Sequence, residues 1–190
     1  MGEFKDIEYL DDSVIITHHL LDDYQDREEP QYSYETYKEH ILKCYSFAES
    51  KNLCKIINIG ANQVTINSGA TSSAIIATYE ETIQIKMKRY KMLISQDRRG
   101  RIIKETTTPE ALCKLFKWMH TNQAIQIDFA PRNIGIDENG DLHLIDVDTI
   151  FELTLRDNDY ARWIKDNQFE FTHAGFGDIY EKAYNLYQSS

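Results

Sequence analysis

A chain of 190 residues is long enough to bury a core without disulfides or metals, and short enough to favour one domain. With 42% hydrophobic and 27% charged residues it has the composition of a globular protein, which excludes a disordered one. A net charge of −10 argues against a nucleic-acid-binding surface, and no apolar run approaches the roughly 20 residues of a membrane span.

The N-terminal stretch, Met1 to Asp12, is polar and acidic and lacks the basic start and apolar core of a signal peptide. Ser13 onward to residue 21 predicts a short strand ending near His18–His19. An acidic connection containing Pro30 follows. Ser33 is a candidate N-cap for a helix from Tyr34 to Lys51, where Tyr34, Tyr37, Ile41, Tyr45 and Ala48 recur at helical spacing. Gly60 and Asn67-Ser68-Gly69 punctuate the next stretch. Strands are expected near Ser73–Tyr79 and Thr82–Tyr90, joined at Glu80–Glu81 as a hairpin. The three cysteines, Cys44, Cys54 and Cys113, fit no zinc spacing and leave at least one thiol unpaired, which suits a reducing compartment. Cys44 and Cys113 fall within apolar helical patterns and are expected in the core.

Basic residues cluster at Lys86, Lys88, Arg89, Lys91, Arg98, Arg99, Arg101 and Lys104, either as a solvated face or as a docking site for an acidic partner or phosphates. Residues 95–107 are expected to form a polar loop. Thr108-Pro109-Glu110 opens a helix with a hydroxyl cap, a proline in the first turn and an acid near the N-terminus. Its apolar stripe is Leu112, Leu115, Phe116 and Met119, and it should stop near His120–Asn122. Asn133–Asp137 and Asp141–Asp146 predict a hairpin about Asn139-Gly140, a pair that tolerates positive φ. Helices are expected over Asn158–Asn167 and Asp178–Tyr187, the second with an apolar stripe of Ile179, Ala183 and Leu186.

Chemistry concentrates between the helix ending at His120 and the end of this hairpin. Asp128 on a loop can accept a proton from a hydroxyl or orient it. Asn133 and Asp146 offer the hard oxygens that magnesium prefers. A calcium-loop reading of Asp137, Asn139 and Asp141 fails because position six is Leu142 and not glycine.

The stretch Ile125-Gln126-Ile127-Asp128-Phe129-Ala130-Pro131-Arg132-Asn133 resembles the catalytic loop of protein kinases. Leu144-Ile145-Asp146-Val147-Asp148 resembles their metal-binding Asp-Phe-Gly segment. The resemblance covers about Thr108–Phe151. It implies Asp128 as catalytic base, Asn133 and Asp146 as magnesium ligands, and magnesium-ATP as cofactor. Gln126-Ile127 stands where the family has His-Arg, and Ala130 where serine/threonine kinases have lysine. Arg132 stands where tyrosine kinases carry an arginine that could neutralise phosphate charge, and so joins the catalytic candidates. Asp148 replaces the glycine, as a further metal ligand or as a turn cap. The Asp-hydrophobic-Asp ending is similar to divergent secretory-pathway kinase-domain proteins and bacterial lipopolysaccharide-core sugar kinases. The N-terminus and the unpaired thiol favour a cytoplasmic location, whereas the resemblance to the secretory-pathway proteins implies the alternative, the secretory pathway or secretion after removal of a signal peptide.

The expected architecture is therefore α+β: a minimal or truncated protein-kinase-like fold in a single domain, with a small β-rich lobe over about 1–90 and a mostly helical lobe over about 91–190. A lid over the phosphates and a lysine reaching them are also needed. Ser68–Ser73 with Lys86 leaves too few residues before Asp128 for the intervening elements. Lys86 and Lys88 are instead expected near the hinge, contacting nucleotide that lies between the sheet and the Asn133–Asp146 hairpin. Of the residues before Tyr34 only Lys5 remains as the phosphate lysine, in surroundings that do not look like a strand. The function implied is transfer of the γ-phosphoryl group of ATP to a hydroxyl of a protein or small-molecule acceptor. The alternative is a pseudokinase serving as an interaction module.

Overall fold

The protein is described here from a computed structural model covering residues 5–21, 34–66 and 76–190. It divides into two compact units, Met1–Arg89 and Tyr90–Ser190. The expected Pro30 connection, the Ser33 cap, the Asn67-Ser68-Gly69 cluster and the Ser68–Ser73 loop lie outside the described residues.

In the first unit, alternating apolar residues build a four-stranded antiparallel sheet in the order β1-β2-β4-β3, from β1 (Lys5–Tyr9), β2 (Ser13–Leu21), β3 (Lys55–Ile66) and β4 (Ile76–Lys88). One sheet face carries Val14, His18 and Leu20 of β2 and Ile83, Ile85 and Met87 of β4, all buried. Against it packs α1 (Tyr34–Ser50), which buries Ile41, Cys44, Tyr45 and Ala48 as the periodicity requires. His18 is 2% exposed, and its ring nitrogens pair with the Tyr45 hydroxyl at 3.1 Å and the Tyr37 hydroxyl at 2.8 Å. The burial cost of the imidazole is thus offset by hydrogen bonds to the helix.

Three expectations fail in this unit. No turn forms at Glu80–Glu81, where β4 runs straight through, with Glu81 opposite Leu20 on one side and Ala61 on the other. Lys38 of α1 forms an ion pair with Glu81, so an acid that reads as a turn residue is tolerated within a strand. The stretch around Gly60, read as punctuation, lies inside β3. Lys5 does open a strand: Leu10 N–H donates to Ser13 O at 2.9 Å, and the resulting hairpin sets Lys5 opposite His18.

In the second unit, Thr108 caps α2 (Pro109–Thr121) by accepting from Ala111 N–H at 3.2 Å, and the helix buries Leu112, Cys113, Leu115, Phe116 and Met119. Before it, β5 (Lys91–Met92) joins the hairpin described below. Then β6 (Ile94–Gln96) and β7 (Ile102–Lys104) pair where a loop was expected. Asp97 drives that turn by accepting from the Arg99 and Arg101 amides, and Gly100 adopts φ +75°.

After α2, β8 (Ala124–Gln126) leads into the loop of Asp128. The hairpin β9 (Ile134–Ile136) and β10 (Leu142–Leu144) turns at Gly140, with φ +81°, and β11 (Ile150–Glu152) returns to pair with β8. The chain closes with α3 (Asp157–Asp166), α4 (Gln168–His173) and α5 (Gly177–Gln188). The apolar face of α5 is rotated from the expected one. Tyr180 and Ala183 are buried, while Leu186 is 42% exposed. Aromatic rings make this core: Phe116, Phe129, Tyr160, Phe171 and Tyr180 are each at most 1% exposed. The Tyr160 hydroxyl donates to Ala124 O and the Tyr180 hydroxyl to Ile164 O, so the rings fill volume without leaving polar atoms unpaired. Among the described residues no helix is long and apolar enough to cross a membrane.

Candidate functional site

Three short backbone links assemble the polar residues of the second unit. Ile127 N–H donates to Thr149 O at 3.0 Å, which continues the β8–β11 pairing up to the residue before Asp128. Pro131–Asn133 form one 3-10 turn, closed by Asn133 N–H on Ala130 O at 2.9 Å. Ile145 N–H donates to Asn133 O at 3.1 Å, which sets Asp146 beside Asn133 although thirteen positions separate them.

Side chains complete the arrangement. The Asn133 amide Nδ2 donates to Asp128 O at 2.8 Å and to Asp128 Oδ2 at 2.9 Å. With its amino group spent on Asp128, Asn133 keeps Oδ1 on the opposite side, without a hydrogen-bond partner among the described residues. Arg132 Nη2 donates to Asp128 Oδ1 at 2.6 Å, and Arg132 Nη1 to Glu170 Oε2 at 3.3 Å. The guanidinium is pushed above its ordinary range, first by the hydrogen bond to Asp128 and, less, by Glu170, with slight burial opposing. Asp128 remains 43% exposed at its side chain, so its carboxylate is oriented but reachable.

Asp146 is held through its main chain and, at longer range, through its carboxylate, whose Oδ2 accepts from Thr149 Oγ1 at 3.4 Å. Its carbonyl accepts from Thr149 Oγ1 at 2.7 Å, from Thr149 N–H at 3.2 Å and from Gln126 Nε2 at 3.3 Å. Gln126 is completely buried, and its Oε1 has no hydrogen-bond partner among the described residues. Gln126 stands where the kinase pattern has histidine. Here it ties the strand leading to Asp128 to the carbonyl of Asp146. Asp148 lies in the 3-10 turn Val147–Thr149 and is 8% exposed.

The hairpin behind these residues is tightly backed. A methyl group at Gly135 would sit 2.5 Å from Tyr90 Cβ and 2.8 Å from Ile145 Cγ2, so only glycine fits there. Tyr90 stacks on His143 at 4.4 Å between ring centroids, and His143 Nε2 pairs with Asp137 Oδ2 at 3.0 Å. Neither Tyr90 nor Glu170 was singled out from sequence. The only available signals were a glycine inside a strand pattern and the Phe169-Glu170-Phe171 alternation.

The structure therefore brings Asp128, Arg132, Asn133 and Asp146 together within one unit. Lys86 and Lys88 lie in the other unit, on β4, in alternation with the buried Ile85 and Met87 and therefore on the sheet face away from α1. Among the described residues no group of three or more His, Cys, Asp or Glu side chains is placed to hold a metal. Magnesium held largely by water and ligand phosphates needs only one or two protein oxygens and no such group. A separate depression of about 620 Å³, lined by Lys117, His120, Asp157 and Tyr187 among others, includes none of the Asp128 cluster.

No protein-family model matches the chain. No curated protein matches it either. Solved structures of WbdD, described as a bifunctional kinase-methyltransferase, are similar in fold. Monomeric WbdD superposes with a TM-score of 0.52 at 11% identity, over 90% of this chain and 37% of WbdD. WbdD bound to the kinase inhibitor LY294002 gives a TM-score of 0.51 at 11% identity, over 100% of this chain and 44% of WbdD. The chain thus spans less than half the length of the proteins it matches, and at this identity the likeness is one of fold: a mixed α+β architecture of small antiparallel sheets and several helices.

Proposed function

We propose that this protein has a protein-kinase-like fold and transfers the γ-phosphoryl group of ATP, with magnesium, to a hydroxyl of a protein or small-molecule acceptor. One observation carries the reading. Asn133 spends its amide nitrogen on both the carbonyl and the carboxylate of Asp128, and its main-chain carbonyl takes the Ile145 amide, the residue before Asp146. A base and two hard oxygen donors are thereby set at fixed spacing, and phosphoryl transfer asks of a protein chiefly positioning and charge neutralisation. Magnesium-ATP, when bound, would supply the phosphoryl group and the cation that screens it. Asp128 orients the acceptor hydroxyl and takes its proton. Arg132 fixes that carboxylate and adds positive charge. Asn133 Oδ1 and the Asp146 carboxylate, with Asp148 as a further candidate, are the donors suited to magnesium.

A second reading, a binding module of the same fold with impaired transfer, is favoured by the first unit. β2 contains no lysine, and its helix-facing position 18 is a buried histidine bonded to Tyr37 and Tyr45. Lys5, on the edge strand, is the lysine next to it.

Thermal unfolding with and without magnesium-ATP tests the first reading, because ligand binding to the native state raises the melting temperature. Wild type is expected to shift upward and Asp146→Asn not to shift, at unchanged ligand-free stability. The Asp146 carbonyl, not its carboxylate, carries the bonds to Gln126 and the strongest one to Thr149. A mutant that binds magnesium-ATP as wild type does removes Asp146 from the metal site. Binding in wild type without turnover on any acceptor favours the second reading.

A further inference from the structure

We infer that Glu170 on α4 is a positioning residue for the Asp128 carboxylate, acting through Arg132, so that α4 belongs to the acceptor side of the site. The inference rests on the phosphotransferase reading and extends it to an element that the sequence did not suggest.

Two independent contacts lock α4 to the loop. Inside, Phe129 and Phe171 pack with ring centroids 5.2 Å apart, and they are 1% and 0% exposed. Phe171 also meets Tyr180 at 4.5 Å and Phe129 meets Trp163 at 5.5 Å, so neither ring can shift without opening the core. At the surface, each ring's preceding residue is an acid: Asp128 before Phe129 and Glu170 before Phe171. Arg132 bridges those two acids, with separate guanidinium nitrogens, at 2.6 Å and 3.3 Å. The aromatic pair fixes the distance between the two backbones, and the arginine fixes the two carboxylates across that distance.

An isolated exposed ion pair contributes little to stability. The value of this one lies in geometry. Arg132 is half-exposed and has several rotatable bonds, so one carboxylate alone leaves its guanidinium free to swing. A second anchor on the other edge of the guanidinium limits it to the orientation that engages Asp128. The acid on α4 thus restricts the rotamer of the base by holding the group that holds it.

A double-mutant cycle on turnover tests this, using ATP and an acceptor on which wild type is active. Glu170→Gln is expected to lower kcat roughly ten- to a hundredfold, the upper end being what a misplacement of about 1 Å can cost, with the KM for ATP unchanged. Arg132→Met is expected to lower kcat at least as much, and Glu170→Gln added to Arg132→Met is expected to cost nothing further, because the chain of contacts is already broken. Glu170→Asp should recover part of the loss. Independent, additive effects, or a Glu170→Gln enzyme with wild-type kcat, would overturn the role of Glu170 and leave the phosphotransferase reading standing. A wild-type protein that transfers no phosphoryl group would overturn both. Glu170→Gln replaces a 44% exposed carboxylate by its amide, so the fold is retained, and matching melting temperatures verify this.

Discussion

The His18 cluster in the first unit and the Asp128 cluster in the second both gather polar side chains by hydrogen bonds, but to opposite ends. His18 is 2% exposed, and both ring nitrogens are bonded to tyrosine hydroxyls of the packed helix. Asp128 is 43% exposed at its side chain, and its bonds come from Arg132 and Asn133, five or fewer positions away. The first arrangement makes a polar group safe to bury. The second makes a charged group rigid while leaving it reachable. Polar bonding alone does not separate structure from function. The separation comes from whether the bonded group still faces something outside the chain.

That contrast predicts where a substitution should hurt. Asp128→Ala should give the largest effect: a loss of roughly 10²–10⁴ in turnover, the contribution of a positioned general base, at near-normal nucleotide affinity and stability. Steady-state kinetics with ATP and acceptor varied separately, beside a thermal melt, check it. Equal losses of affinity and turnover would move Asp128 into the metal or structural class, and the comparison with His18 would collapse.

Gly135→Ala comes next, and acts on stability. The added methyl would approach Tyr90 Cβ to 2.5 Å and Ile145 Cγ2 to 2.8 Å, so one of them must shift. Overpacking of this kind costs about 1–3 kcal/mol. Urea titration should show a lower midpoint at unchanged slope. Because Ile145 adjoins Asp146, magnesium-ATP affinity should fall as well. A neutral outcome would show that the hairpin behind the site is looser than its contacts state.

Tyr45→Phe sharpens the other half. It removes one hydroxyl from the buried His18 and leaves the ring packing, so the expected loss is about 1 kcal/mol of stability with no change in kcat. A fall in turnover without loss of stability would mean that the buried cluster is functional after all.

How much of this was legible follows the same line. The Asp128–Asn133 spacing, the Asn139-Gly140 turn and the Thr108 cap are local, and each could be read because the physics lies within a few residues. The β3–β4 pairing could not. Glu80 and Glu81 look like a turn, and what keeps them in a strand is Lys38 on a helix more than forty positions away, along with the partners set by β2 and β3. The same applies to α4. Six residues with one buried side chain carry no helical period, and Phe171 has meaning only beside Phe129. Gln126 reads in the sequence only as a departure from the family's histidine, since a bond to the carbonyl of Asp146 depends on a strand pairing the sequence does not announce.

The smallest expected effect concerns the turn of the hairpin and appears in the pH dependence of stability. Asp137 Oδ1 accepts from the amides of Asn139 and Asp141, each at 2.9 Å, and Oδ2 pairs with His143 at 3.0 Å. The His143 bond first, and then the two amides against the effect of burial, hold the Asp137 carboxyl below the ordinary carboxylate range. A carboxyl whose pKa is lower in the folded chain than in the unfolded one stabilises the fold above the unfolded value of about 4. As pH falls below that value, the unfolded chain takes up the proton first, and the contribution fades until the folded carboxyl is protonated too. Wild type should therefore lose melting temperature from about pH 5 downward. Asp137→Asn has no proton to take up there, and its amide oxygen can still accept from the two turn amides. Its melting temperature should start slightly lower at neutral pH and fall less steeply into acid, so that the two curves converge. Parallel curves would mean that the acid sensitivity comes from other carboxylates, and that Asp137 serves the turn only as a hydrogen-bond acceptor.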